Sequence, residues 1–209
     1  MMKNRIVFSR LPVLFMGLLM SIAISCGSKT GSFTDPRDGK VYETVTIGDQ
    51  VWMAENLAYA PTSGNYWAFR DDTANVAIYG YLYDWHTAQD VCPPGWHLPD
   101  DDEWRELSDF LGENAGDKLK STGTVQEGTG LWREPNSGAT NQTGFSALPS
   151  GRRSSSGVFG LLGTHGRWWS ASDRIDIYGR SFWVSNTSDR LHRDIHEKEI
   201  GFSVRCVMN

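Results

Sequence analysis

Residues 79–112 read YGYLYDWHTAQDVCPPGWHLPDDDEWRELSDFLG. Two helix signals separated by a proline stop decide the architecture here. Residues 83–89 form the first. It must end before Pro93-Pro94, because proline lacks a backbone N–H and its ring clashes with the preceding turn. Asp100 sits where the N-cap of the second belongs, Glu103 three residues on completes a capping box, and Gly112 supplies the stop. Trp104, Leu107 and Leu111 recur at helical spacing, so their shared face is expected in the core. Asp100-Asp101-Asp102 lie at the helix start, where carboxylates complement the positive end of the dipole. Capping explains these acids without catalysis.

On the N-terminal side, residues 41–47 and 50–53 are rich in strand formers and flank Gly48-Asp49, which predicts a hairpin. Residues 60–80 read as loop. Beyond residue 112 Gly, Ser, Thr and Asn dominate, broken by LWREP (131–135), GFSALP (144–149), RWWSAS (167–172), SFWVSN (181–186) and GFSVRCV (201–207). Each of these runs predicts a short strand between turns. No repeat of solenoid or propeller length occurs. The expected class is α+β: two helices, short antiparallel strands and a long irregular Gly-rich half.

The first 26 residues, MMKNRIVFSRLPVLFMGLLMSIAISC, place Lys3, Arg5 and Arg10 ahead of the apolar stretch 11–24. That stretch is too short and too interrupted by proline for a membrane span, and has the layout of a secretory signal. Small residues at Ala23 and Ser25 followed by Cys26 match a bacterial lipobox. The reading is a lipoprotein signal peptide over 1–25, lipidation at Cys26, a flexible tether over 26–34 and one domain over 35–209. Each buried acyl methylene contributes about 0.8 kcal/mol, so several chains anchor stably. The expected location is the cell envelope, lipid-anchored, at the outer membrane or cell surface. Cleavage leaves 184 of 209 residues and, with three positive charges gone, moves the formal charge from −5 to −8. An acidic chain does not fit a nucleic-acid binder that works by neutralising phosphates. An aromatic content of 12% with 22% charged residues does not fit disorder.

With Cys26 assigned to lipid, Cys92 and Cys206 are an even pair in an oxidising compartment. A disulfide between them would close a loop of 114 residues, worth about 4–5 kcal/mol in the chain-entropy model. A metal site on two lone cysteines without CxxC spacing is the weaker alternative.

Three segments, the opening stretch, TNQTGFSALPSGRR with RWWSAS, and the terminal GFSVRCV, together resemble the Fibrobacter succinogenes major paralogous domain, as does DGKVYETVTIGDQVWMAENL (38–57). The resemblance covers nearly all of residues 35–209. It implies a secreted or lipid-anchored bacterial surface protein and supplies no established activity. A more distant likeness is to C-type-lectin-like and formylglycine-generating-enzyme-like folds. Trp85, Ala88, Cys92, Leu98, Glu103 and Leu107 follow their order, and the likeness implies that the helix cysteine pairs with one on the final strand.

Four chemistries deserve weighing. Glu134-Pro135-Asn136 resembles the triplet with which sugar-binding C-type lectins ligate calcium, and Asn186 beside Trp183 offers a further ligand. The adjacent Asn-Asp pair of those lectins is missing. His192, Asp194 and His196 alternate, so on a strand they share one face and can be read as an open zinc site of a hydrolase. The same alternation is what any solvated strand shows, which is the preferred reading. An oxidase of the formylglycine-generating kind needs reactive cysteines, and none is left over. Ser154-Ser155-Ser156 lacks the GxSxG of a nucleophile elbow.

Aromatic residues are the remaining signal. Trp168 and Trp169 are adjacent, so on a strand one of them is expected to face outward or into a groove. Near Arg152, Arg153 and Arg167, an exposed indole makes a stacking platform for a sugar or a partner side chain. The binding candidates are Trp67, Trp132, Trp168, Trp169, Arg152 and Arg167. The competing expectation, which is preferred, is that loop tryptophans pin irregular backbone onto the core. The resulting functional expectation is a non-enzymatic binding or structural module recognising a glycan, a surface polymer or a surface protein. A metal-dependent or formylglycine-enzyme-like surface enzyme and a structural subunit of an assembly are the alternatives. No cofactor is expected beyond calcium at Glu134, Asn136 and Asn186.

Overall fold

The computed structural model describes residues 29–209, so the leader, Cys26 and the first tether residues lie outside the described residues. The strands are β1 (Thr30–Thr34), β2 (Val41–Ile47), β3 (Gln50–Met53), β4 (Tyr66–Trp67), β5 (Leu82–Tyr83), β6 (Trp96–His97), β7 (Arg152–Arg153), β8 (Phe159–Gly160), β9 (His165–Ile175), β10 (Tyr178–Ser185), β11 (His192–Glu197), β12 (Phe202–Ser203) and β13 (Val207–Met208). The helices are α1 (Val76–Tyr79), α2 (Trp85–Asp90), α3 (Asp101–Leu111) and α4 (Ala115–Leu119). The architecture is mixed helix and strand, with several sheets and few helices.

Local chemistry accounts for the helices. Asp84 does not open α2 as a helical residue but caps it, its Oδ1 accepting the Thr87 N–H at 2.7 Å. The capping box of α3 forms as the sequence predicts: Asp100 Oδ1 accepts the Glu103 N–H, and Glu103 Oε2 accepts the Asp100 N–H, both at 2.8 Å. Gly112 ends the helix at φ 65°, where a Cβ would be strained. Helices α1 and α4 escape the sequence reading, since four and five residues are too few to show a helical period.

A five-stranded sheet runs β1-β2-β3-β13-β6, a six-stranded sheet runs β11-β10-β9-β12-β5-β4, and β7-β8 form a ribbon. The last strand inserts beside the N-terminal hairpin, with Val207 opposite both Trp52 and His97. Residues 30–34, expected within the tether, are instead β1, paired with β2 from Thr30↔Val45 to Thr34↔Val41. The hairpin edge offers a row of unpaired amides, and Phe33 packs its ring 5.3 Å from Trp96. Residues 131–135 and 144–149 also depart from expectation. They make single bridges, Thr124↔Trp132 and Lys120↔Ala147, rather than strands.

Their backbone is held by side chains. Trp132 and Phe145 are fully buried beside Trp52, Trp104, Trp168 and Phe182. Trp104 stacks on Phe182 at 5.1 Å and 15° and lies 4.8 Å from Trp52. Adjacent Trp168 and Trp169 go to opposite faces of β9 and enter two different core clusters, Trp169 meeting Phe202 at 4.5 Å. The Cys92–Cys206 disulfide ties the end of α2 to the start of β13. Between the clusters, buried Arg205 donates to Phe145 O and to Asn56 Oδ1, the latter at 2.8 Å. Asn56 Oδ1 also accepts from Trp168 Nε1 at 2.8 Å.

Candidate functional site

The six-stranded sheet carries a face built of arginines, imidazoles and indoles. Residues alternate across a strand, so His165 and Arg167 project from the side of β9 opposite Trp168. In β10 Trp183 stands directly opposite Arg167 on one side and His192 of β11 on the other. Opposed residues in such a ladder lie about 5 Å apart, so their side chains must touch. His192 stacks on Trp183 at 4.0 Å and 12°. From the other flank the Arg167 guanidinium lies 5.0 Å from the same ring and 5.7 Å from Phe202.

The pattern repeats toward the far edge. The Arg153 guanidinium lies 4.1 Å from the Trp67 ring, which rests on Gly201. A Cβ on Gly201 would come within 3.0 Å of that indole. Lys198 Nζ sits 4.0 Å from the Trp85 ring, and a Cβ on Gly179 would come within 2.4 Å of it. Each indole therefore has a face already covered by a cation. At Trp67 the surface offers half-buried Arg153, stiffened by the ring behind it, whereas Lys198 and Arg167 are themselves buried.

The arginines on this face are uncompensated, whereas Lys198 Nζ lies 3.5 Å from Asp173. Among the described residues no carboxylate lies within 4.0 Å of Arg152, Arg153 or Arg167. Arg167 is 8% exposed. Its Nη1 lies 2.9 Å from His196 Nε2, and its Nε has no acceptor. Burial, and then the charge of Arg152, lowers its pKa to about 10. Burial and the arginine field also push His165 and His196 down to about 4. For His196, Asp194 at 3.4 Å opposes the shift without reversing it. His192 is lowered too, first by burial and then by Arg190.

Of the residues singled out from sequence, Trp67, Arg152 and Arg167 belong to this region. Trp132, Trp168 and Trp169 do not. All three are fully buried, and their indole N–H groups are spent on Ser121 Oγ and Ala147 O, on Asn56 Oδ1, and on Tyr83 O respectively. The expectation that Trp168 or Trp169 faces a groove is corrected, because both faces of β9 are covered by core at that point. Sequence reasoning named Arg153 only as a neighbour of the platform and missed Trp183 and His165 as members of this face. The signal for Trp183 and His165 lay in the alternation of β9 and β10, but the register that aligns them is not local.

The zinc reading is corrected by distance. Residues i and i+4 on a strand are about 13 Å apart, too far to share an ion with ligand bonds of about 2 Å. His192 Nε2 meets Ser188 Oγ at 2.6 Å while His196 turns to Arg167. Ser188 closes the turn before β11, accepting the Arg190 N–H at 3.3 Å. Among the described residues no three His, Cys, Asp or Glu side chains are placed to hold a metal.

Asn136 and Asn186 brace loop backbone rather than pool their oxygens with Glu134 around an ion. Asn186 Nδ2 donates to Glu134 O at 2.7 Å, and Asn136 Nδ2 donates to Ser121 O and Gly123 O. The neighbouring carbonyls of Ser137, Ser185 and Ser188 accept from the buried Lys120 ammonium, which pairs with Asp117 at 3.0 Å. A resident cation therefore occupies the oxygen-rich side of these loops.

A family model, the Fibrobacter succinogenes major domain, matches residues 45–208. Comparison with curated proteins and with solved structures returned no match.

Proposed function

The chain belongs to the Fibrobacter succinogenes major domain family, and we propose that it works as a lipid-anchored, non-enzymatic binding module of the bacterial cell envelope. Its ligand is a glycan or another surface polymer, taken up on the arginine-and-aromatic face of the six-stranded sheet. One observation supports this above others: Arg153 and Arg167 lie against indoles, Arg152 adds its charge to that of Arg167, and none of the three has a carboxylate partner, an arrangement that folding alone does not require. The Cys92–Cys206 bridge, from just after α2 to the residue before the last strand, with Trp85 and Ala88 on α2, is the ground for proposing a C-type-lectin-like fold. Anchoring rests on the lipobox at Cys26.

The test is a glycan array probed with the full-length chain purified in non-ionic detergent, with and without a chelator. Binding that survives chelation and is lost in Arg153→Ala is the expected result. Silence across neutral and acidic glycans under both conditions would overturn the proposal. Mass spectrometry of the same preparation should find acylated Cys26 as the first residue.

A specific observation favours a second reading, a subunit of a surface assembly. Ile175, Ile177 and Ile195 are 56%, 56% and 43% exposed along the β9–β10 turn and the edge strand β11. A concentration-dependent increase in mass by light scattering, abolished by Ile177→Asp, would support it.

A further inference from the structure

Resting on the proposed binding role, we infer that the polymer recognised by this face is anionic, a polysaccharide bearing carboxylate or sulfate groups. Neutral sugars are held in protein sites largely by stacking on open aromatic faces and by paired hydrogen-bonding groups. Here the indole faces are covered. His192 and Arg167 enclose Trp183, Arg153 covers Trp67, and Lys198 covers Trp85.

Guanidinium groups backed by aromatic rings are suited to oxyanions, because the planar fork offers two parallel N–H donors and the ring restricts its rotation. Arg167 is more than nine-tenths buried, with its Nε unpartnered and no carboxylate within ion-pair distance. A buried charge in that state is costly unless a counter-charge arrives. Half-buried Arg152 and Arg153, on the strand that bridges Gly201, are the more exposed cations of the patch.

Three acids flank the face, and one of them, Asp173, lies 3.5 Å from Lys198. Asp194 is 48% exposed and turned to His196, and Glu197 accepts from Ser155 Oγ at 2.7 Å. None of the three reaches these arginines. Arg153 bridges Gly201, the residue before Phe202, and Arg167 lies over Phe202, so the cations follow one line across the strands. A line of cations matches charge repeated along a chain better than a single small ion. The whole chain carries −5, so affinity for a polyanion has to come from this local patch against overall repulsion.

The experiment is microscale thermophoresis of the full-length chain in non-ionic detergent against polygalacturonate, dextran sulfate and neutral dextran. Binding to at least one polyanion and not to dextran is expected, weakening at least about tenfold between about 50 and about 200 mM salt. Preference for the uronate or for the sulfate tells which oxyanion the site was built for. Arg152→Gln should weaken binding about fivefold or more, while the same change at exposed Arg174 should not. Arg167→Met is expected to abolish binding and Arg167→Lys to restore part of it, with circular dichroism confirming that both fold. Equal binding to dextran and to the polyanions would overturn the charge requirement and leave the binding role standing. Absence of binding to all three would overturn the anionic ligand, and a positive glycan array in that case would still preserve the broader role.

Discussion

The Arg167 guanidinium donates to a neutral imidazole: its Nη1 lies 2.9 Å from His196 Nε2, and both side chains are largely buried. Burial, and then the arginine field, hold His196 and His165 at about 4, while both titrate near 6.5 in the unfolded chain. The unfolded state therefore binds protons first as pH falls. The stability contributed by the neutral rings is complete above about 6.5 and is lost progressively toward about 4. A melting temperature that declines from pH 6.5 to 5, above the main range of carboxylate titration, is the expected outcome. In His165→Gln/His196→Gln that decline should flatten. An unchanged slope in the double variant would show that the rings do not carry it.

Lys120 is fully buried and holds three loop carbonyls together with Asp117. Replacing it by methionine leaves a buried carboxylate and carbonyls unpaired, which costs about 3–5 kcal/mol by analogy with broken buried ion pairs. Urea denaturation measures it. With the ammonium in place, millimolar calcium should leave the wild-type melting temperature unchanged. A calcium-dependent rise would restore the lectin-type metal reading of Glu134, Asn136 and Asn186.

The Cys92–Cys206 bridge closes a loop of 114 residues. Cys92→Ala/Cys206→Ala should lose about 2–5 kcal/mol of stability against denaturant. Thiol labelling of the native protein should find both sulfurs unreactive until reductant is added. Labelling of Cys92 without reductant would contradict the bridge.

Trp168 and Trp183 separate core from surface on neighbouring strands. Trp168→Ala removes a fully buried indole from the Trp104–Phe145 cluster and should cost about 3–5 kcal/mol. Trp183→Ala removes a half-buried ring that backs Arg167. It should cost clearly less in denaturation while reducing ligand binding. Equal destabilisation by the two variants would assign Trp183 to the core instead.

Much of the framework was legible in local sequence because its signals are local. The Asp100–Glu103 capping box, the stop at Gly112, the β2–β3 hairpin and the pairing of the two remaining cysteines need only neighbours in the chain or simple arithmetic. The tether was misread at residues 30–34 because Gly and Ser signal flexibility, whereas the pairing that makes β1 a strand is supplied by β2. The runs around Trp132 and Phe145 carry strand-forming residues but make only single bridges. Their backbone is irregular because buried side-chain area, rather than a ladder, holds it.

The site followed the same division. Sequence alone determined which residue types were on hand: adjacent arginines, alternating histidines and nine tryptophans. Periodicity also settled that Trp168 and Trp169 point opposite ways. Only the tertiary structure decided that both directions are core, since a second layer covers β9 on each side. Only the register of β9, β10 and β11 placed Arg167, Trp183 and His192 in one row. Register depends on how whole strands dock, and a shift of one residue would send the same side chains to the opposite face.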